Sequence, residues 1–275
     1  PDKPATERQI ARMLALAGHP VALHLFLPDG YVPKHATPEH VGRFYRSWGA
    51  IRTEPFDGLI VTGAPIERVA FEDVAYWREL QRILDWSAYR GIAQLTLCWA
   101  AFAALYHGRG VAKRLLPAKR FGIFRQTVEA PFASVVRGLG TQFPTPVSRY
   151  AEMEADELPD TRDLAVLARS DASGLCLVED RALDAVHMFN HLEYDAGTLA
   201  EEFVRDRRAG LPVAMPSGYV LGDSLANPPV ALWRSYGRRF YGNWVERLAR
   251  RRSIAPVPVS SRGEPEPRRP EPATP

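Results

Sequence analysis

The chain has 275 residues, 46% of them hydrophobic and 24% charged, with 35 Lys and Arg against 32 Asp and Glu for a formal net charge of +3. That balance excludes a fibrous or wholly disordered chain and leaves room for a large core, and the modest positive excess suits an anionic co-substrate. The two cysteines, Cys98 and Cys176, exclude a disulfide scaffold and point to the cytoplasm; no apolar run approaches the roughly 18 residues of a membrane span, no signal peptide is visible, and no basic stripe interleaved with aromatics points to nucleic acid.

In chain order, TERQIARMLALAG predicts a helix with Thr6 as N-cap and Gly18 as the stop. PVALHLFLP reads as a strand, PEHVGRFYRSW as a short helix, and FDGLIVTGAP as a buried strand running into a Gly-containing turn. FEDVAYWRELQRILDWSAYRG is a strongly amphipathic helix. GIAQLTLC is a buried strand and WAAFAALYHG the helix after it. This alternation predicts an α/β fold with a mostly parallel sheet. The middle changes character, with FGIFRQTVEA and TQFPTPVSRY as short strands among turns. DLAVLARS, GLCLVED and ALDAVHMFNH are three further strand-like runs, and DAGTLAEEFVRDRRAG is a helix ended by Gly210. Residues 227–251 read as mainly helical beyond a Pro pair. Residues 1–252 are therefore expected to form one folded domain. The Pro- and charge-rich stretch over 253–275 lacks the apolar content to fold and is expected to be disordered.

Cys98 stands where the buried strand turns into a small-residue helix. A strand-to-helix turn exposes its central side chain, and a helix N-terminus favours a thiolate, so the position suits a nucleophile. The competing reading is a buried structural cysteine. In FNHLEYDAGTLAEEF, His191 ends an apolar run and Glu193 follows two residues on. The pair suits a general base and the acid that orients it. A surface His beside a capping Glu is the alternative; a metal site would need a third ligand, and none has fitting spacing.

Five stretches carry a resemblance: VTGAPIERVAFEDVAYW, LCWAAFAALYHG, SRYAE, HLEYDAGTLAEEFVRD and LWRSYGRRFYGNWV. Together they resemble the homoserine O-acyltransferases of the homoserine O-succinyltransferase family, in order, over residues 1–245. The resemblance implies a flavodoxin-like sheet of the class I glutamine amidotransferase type and acyl transfer from acyl-CoA to homoserine, a step of methionine biosynthesis. It implies Cys98 as acyl-accepting nucleophile, His191 as base and Glu193 as its orienting partner. Lys119, Ser148 and Arg205 match substrate-binding positions, and Arg205 suits the carboxylate of an amino acid. Taken alone, Lys119 and Arg205 would read as solvated basic residues and Ser148 as a turn serine. Gly63, Ala64 and Trp99 lie at turns whose backbone N–H groups suit an oxyanion. Lys3 matches an active-site lysine.

Glu67 matches the position at which the family chooses its acyl donor. A glutamate there goes with acetyl-CoA, opposing the succinyl carboxylate by charge and bulk; as a plain helix-start residue it would serve the macrodipole. No bound metal or redox cofactor is implied, with acyl-CoA as co-substrate, and the resemblance implies a homodimer.

The chain departs from the family pattern at Asn190, Leu192, the V of VSRY and the Y of RSYG, all bordering the acceptor pocket, so serine stays open beside homoserine as acceptor. Family members carry a first core strand ahead of the segment at which this sequence opens, so the sheet is expected to lack it. Two other readings stay open: a glutaminase-like cysteine hydrolase on the same fold, and a non-catalytic metabolite-binding protein.

Overall fold

The computed structural model describes residues 3–33, 36–219 and 230–253. Helix α1 (Lys3–Ala15) is followed by strand β1 (Leu25–Leu27), helix α2 (Pro38–Phe44), strand β2 (Tyr45–Ser47) and helix α3 (Trp48–Ile51). Strand β3 (Gly58–Val61), helix α4 (Trp77–Tyr89), strand β4 (Ala93–Leu97) and helix α5 (Trp99–Arg109) form the β/α repeat read from the sequence. Strands β5 (Arg114–Val128), β6 (Gln142–Glu152), β7 (Leu164–Ser170), β8 (Gly174–Asp180) and β9 (Ala185–Met188) precede helices α6 (Thr198–Arg208) and α7 (Arg234–Ser253).

Seven strands make one sheet in the order β3-β4-β9-β8-β7-β5-β6. The expected parallel arrangement holds only for β3, β4 and β9. The other neighbours pair antiparallel, so the α/β sheet is mixed. Chain length between strands explains the split. The β3-to-β4 crossover holds a whole helix, whereas β7, β8 and β9 follow one another through turns too short for a parallel return. β5 also begins at Arg114, well before the run FGIFRQTVEA that the sequence pattern marks, and pairs with β6 from Arg114↔Glu152 to Thr127↔Gln142 with an irregularity between Leu115 and Arg120.

The first strand is shorter than expected. Only Leu25–Leu27 ladders with the three-residue β2, in a separate two-stranded sheet, and β3 is left as an edge of the main sheet. A cavity of about 1180 Å³ runs along β3, lined by Ile10, Leu27, Leu59, Val61 and Trp244, and reaches Gly63, Ala64 and Trp99. Helix α1 begins at Lys3, so Thr6 lies inside its first turns instead of capping it. The stretch over 254–275 lies outside the described residues.

The core splits around the sheet. On one face Met13, Trp233, Phe240 and Tyr241 pack against Leu95, Leu97, Val186 and Met188. On the other, Phe71 and Trp77 join Trp99, Phe102 and Phe189. Helix α5 is buried continuously from Trp99 to Leu105. Its alanines let the helix sit close to the sheet, which fixes the position of its first residue and of Cys98 before it.

Candidate active site

Cys98 caps α5 with φ 52° and ψ −119°, a backbone conformation uncommon for any residue but glycine. Two constraints hold it there. Its N–H donates to the Met188 carbonyl at 2.7 Å, tying it to the end of β9, and its carbonyl accepts from Ala101 at 2.9 Å to start the helix. The side chain is thereby aimed off the end of the parallel strands, where α/β sheets place their reacting groups.

The loop after β9 delivers His191, whose N–H donates to the Pro146 carbonyl at 3.0 Å. The imidazole Nδ1 lies 2.6 Å from Glu193 Oε1, and the ring interacts with the Cys98 sulfur. All three residues are buried. Burial works against the imidazolium, yet the Glu193 carboxylate and the Cys98 sulfur outweigh it and hold the His191 pKa well above its ordinary value. A base so placed stabilises the thiolate–imidazolium form of the pair. Tyr194 stacks on the imidazole, centroids 4.0 Å apart and 18° from parallel, and keeps the ring from turning.

Gly63 and Trp99 lie against the Cys98 turn, and Ala64 follows Gly63 in the same turn. A Cβ built on Gly63 would lie 2.9 Å from Cys98 Cβ and 3.3 Å from the Trp99 nitrogen, so the turn after β3 rests directly on the nucleophile turn. Trp99 is the first residue of α5, and its N–H has no intrahelical acceptor. Such amides are free to receive an oxyanion beside the sulfur.

A second, polar wall faces this pair. Lys119 Nζ contacts Asp206 at 2.7 Å and Glu202 at 3.3 Å. Ser148 Oγ donates to Glu202, the Tyr194 hydroxyl donates to Glu202 at 2.8 Å, and Arg205 is held by Asp206 at 2.7 Å. Burial raises the Glu202 carboxyl, but Lys119, Ser148, His191 and Arg205 reverse this and leave its pKa below the ordinary value. Glu67 is buried as well, and there burial prevails, raising its pKa despite Lys119 and His191 nearby. Lys119, Ser148 and Arg205 are thus brought together, and Glu67 shares their electrostatic neighbourhood.

Lys3 is not brought to the triad. Its ammonium lies 5.2 Å from the Tyr45 ring centre and near Glu7, because the first turn of α1 packs on β2. It lines the same cavity as Gly63 and Trp99 without a described contact to Cys98, His191 or Glu193.

Sequence reasoning missed Glu202, Tyr194 and Asp206. A signal existed: Leu199, Glu202 and Asp206 recur at helical spacing on α6, and Leu199 is wholly buried, so the two acids follow an inward stripe. Among the described residues no group of His, Cys, Asp and Glu has the arrangement of a metal site, and no helix is long and apolar enough to cross a membrane.

Comparison with known proteins meets this geometry. Residues 1–253 match the family described as homoserine O-succinyltransferase. A homoserine O-acetyltransferase of Novosphingobium aromaticivorans is 46% identical over 245 residues, covering 89% of this chain and 80% of that protein. One of Rhizorhabdus wittichii is 43% identical, covering 91% and 78%. Among solved structures, a glutamine amidotransferase of Methylobacillus flagellatus superposes with a TM-score of 0.56 at 12% identity, over 82% of this chain and 95% of that one. A glutamine amidotransferase of Thermotoga maritima gives 0.54 at 12% identity, over 82% and 99%. At that identity the likeness concerns the fold.

Proposed function

The chain belongs to the homoserine O-succinyltransferase family, and from that premise we propose that it moves an acetyl group from acetyl-CoA to the γ-hydroxyl of L-homoserine through an acyl-Cys98 intermediate. The protein is a homoserine O-acyltransferase of methionine biosynthesis. The observation that carries the proposed route is the Cys98 turn facing His191 and Glu193, with the Gly63 turn and the Trp99 amide against the sulfur.

His191 takes the Cys98 proton, and the thiolate attacks the thioester carbon. The amides of Gly63, Ala64 and Trp99 stabilise the oxyanion. The carbon–sulfur bond to CoA breaks, and the CoA thiolate leaves with the proton from His191. The γ-hydroxyl of homoserine then gives its proton to His191 and attacks the acyl-Cys98 carbon. The carbon–Cys98 bond breaks, and the sulfur recovers the proton. Glu193 holds the imidazole in one tautomer throughout. Arg205 grips the acceptor carboxylate, while Lys119 and Ser148 complete the acceptor wall.

Glu67 supports acetyl over succinyl. A buried carboxylate in the space reached by the acyl chain opposes a second carboxylate by repulsion and occlusion. Acyl-CoA is a co-substrate, and no bound metal or redox cofactor takes part. The two buried free cysteines support a reducing cytoplasm as the site of action, and the family resemblance supports a homodimer.

Incubation with acetyl-CoA labelled in the acetyl group is expected to leave label on Cys98, released by homoserine. Wild-type acetyl transfer by Cys98→Ala would sink the proposal. A matrix of acetyl-CoA and succinyl-CoA against homoserine and serine decides donor and acceptor. Ammonia release from glutamine without CoA-dependent acylation would favour a hydrolase on this fold.

A further inference from the structure

Arg149 is 1% exposed, and its whole guanidinium lies inside the protein. Nη1 donates to Asn190 Oδ1 at 2.5 Å and to the Phe189 carbonyl at 3.3 Å. Nη2 donates to the Leu175 carbonyl at 3.2 Å and to the Ser173 carbonyl. All four acceptors are neutral. Among the described residues no carboxylate pairs with Arg149, for Glu152 is taken by Arg120 at 2.8 Å. A buried cation normally has a counter-ion, because desolvating it alone is costly. The cost registers here as an arginine pKa brought down by burial to about 10, so the group still carries its charge at neutral pH.

The position of this unpaired charge is informative. Strand β6 passes both reacting residues: the Pro146 carbonyl takes the His191 N–H, and the Ser148 carbonyl lies 4.0 Å from Cys98 Sγ. Arg149 is the next residue on that strand. Its side chain grips Phe189 and Asn190, the two residues immediately before His191. The guanidinium therefore crosslinks the strand beneath the nucleophile to the loop that carries the base.

We propose that Arg149 is a positioning residue for the Cys98–His191 pair, pinning the turn that presents His191 to the strand beneath the nucleophile and lending that buried site a fixed positive charge that favours the Cys98 thiolate formed during the reaction. A fixed cation in the electrostatic neighbourhood of the nucleophile favours its ionised form without rearrangement. The groups facing the sulfur from the other elements are His191, Glu193 and Tyr194, and those around the guanidinium are Arg120, Glu152 and Cys176. Burial pushes the Cys176 thiol up to about 12, so it stays protonated beside the same arginine.

The inference rests on Cys98 being the nucleophile, and the test separates the two. Iodoacetamide alkylation of Cys98 in the full chain, followed by peptide mass spectrometry across pH, reports thiolate formation without any acyl donor. In Arg149→Met the midpoint is expected about one pH unit above wild type, so that alkylation at neutral pH slows about tenfold. The kcat of acetyl transfer is expected to fall with it, while the KM for homoserine stays within about twofold. Arg149→Lys keeps the charge but cannot span four acceptors; it is expected to hold the wild-type midpoint and lose kcat. A folded Arg149→Met with the wild-type alkylation profile overturns the proposal. Should Arg149→Met fail to fold, Arg149→Lys and Asn190→Ala decide: lowered kcat at unchanged homoserine KM supports the role, and wild-type kcat in both overturns it. Full acetyl transfer by Cys98→Ala would instead strike at the reading of the nucleophile.

Discussion

Gly63 leaves no room for a side chain against Cys98: a methyl group added to Gly63 would come within 2.9 Å of Cys98 Cβ and 3.0 Å of the Leu97 carbonyl. Neither atom belongs to a flexible side-chain end, so one turn has to move. Gly63→Ala is expected to displace the oxyanion amides and lower kcat by about 100-fold, the order seen when one such donor is lost. Thermal unfolding should stay within a few degrees of wild type. Wild-type turnover by the folded variant would remove this turn from the mechanism.

Glu193, together with the Cys98 sulfur, raises the His191 pKa against burial. A raised imidazole pKa contributes stability that is complete below the unfolded value of 6.5 and fades as pH rises through the folded value. Glu193→Gln is expected to flatten that portion of the Tm-against-pH curve and to lower kcat by roughly 100-fold or more, since the base loses its orienting charge. The two effects are read separately, by calorimetry and by initial rates across the same pH series.

Glu67 is expected to trade stability for donor choice. Its pKa is raised by burial, so the folded state binds protons more tightly than the unfolded one, and stability is lost as pH rises above 4.5 through the folded value. Glu67→Gln should therefore raise Tm at neutral pH, with the gain shrinking toward pH 4. Glu67→Gly, which also opens space, is expected to improve succinyl-CoA use relative to acetyl-CoA by about tenfold or more. An unchanged donor ratio would take Glu67 out of the donor argument.

Ser148 donates to Glu202, which also holds Tyr194 and Lys119. Ser148→Ala removes one hydrogen bond to a charged group, an effect of about 1.5–3 kcal/mol. The KM for homoserine is expected to rise by roughly tenfold or more, with the rate of acetyl-enzyme formation little altered. Stopped-flow release of CoA without acceptor isolates that first step.

The sequence shows the parts of this site that obey local rules. Cys98 is visible because an apolar strand meets a small-residue helix, and His191 and Glu193 because they follow an apolar run. The antiparallel half of the sheet is less legible. TQFPTPVSRY reads as a short strand among turns, but nothing in it shows that it pairs antiparallel with a long β5; its Pro144 and Pro146 lie within β6, which is the last strand of the sheet and tolerates residues that cannot donate. Arg149 and Glu202 are hidden for another reason. A charged side chain in a polar stretch reads as solvated, and only the fold shows that one is 1% exposed on β6 and the other faces inward from α6. The long resemblance supplied what local pattern did not, placing Lys119, Ser148 and Arg205 in one site; it placed Lys3 there too, and the packing of α1 on β2 puts that ammonium over Tyr45 instead.

The backbone of Cys98 places the enzyme in conflict with its own folding preferences. A residue with a side chain at φ 52° and ψ −119° costs of order 1–3 kcal/mol relative to a comfortable conformation, and glycine would relieve it. Selection for stability alone would erase the nucleophile. A library screened only for heat resistance should therefore recover Cys98→Gly among its survivors, sturdier and inert.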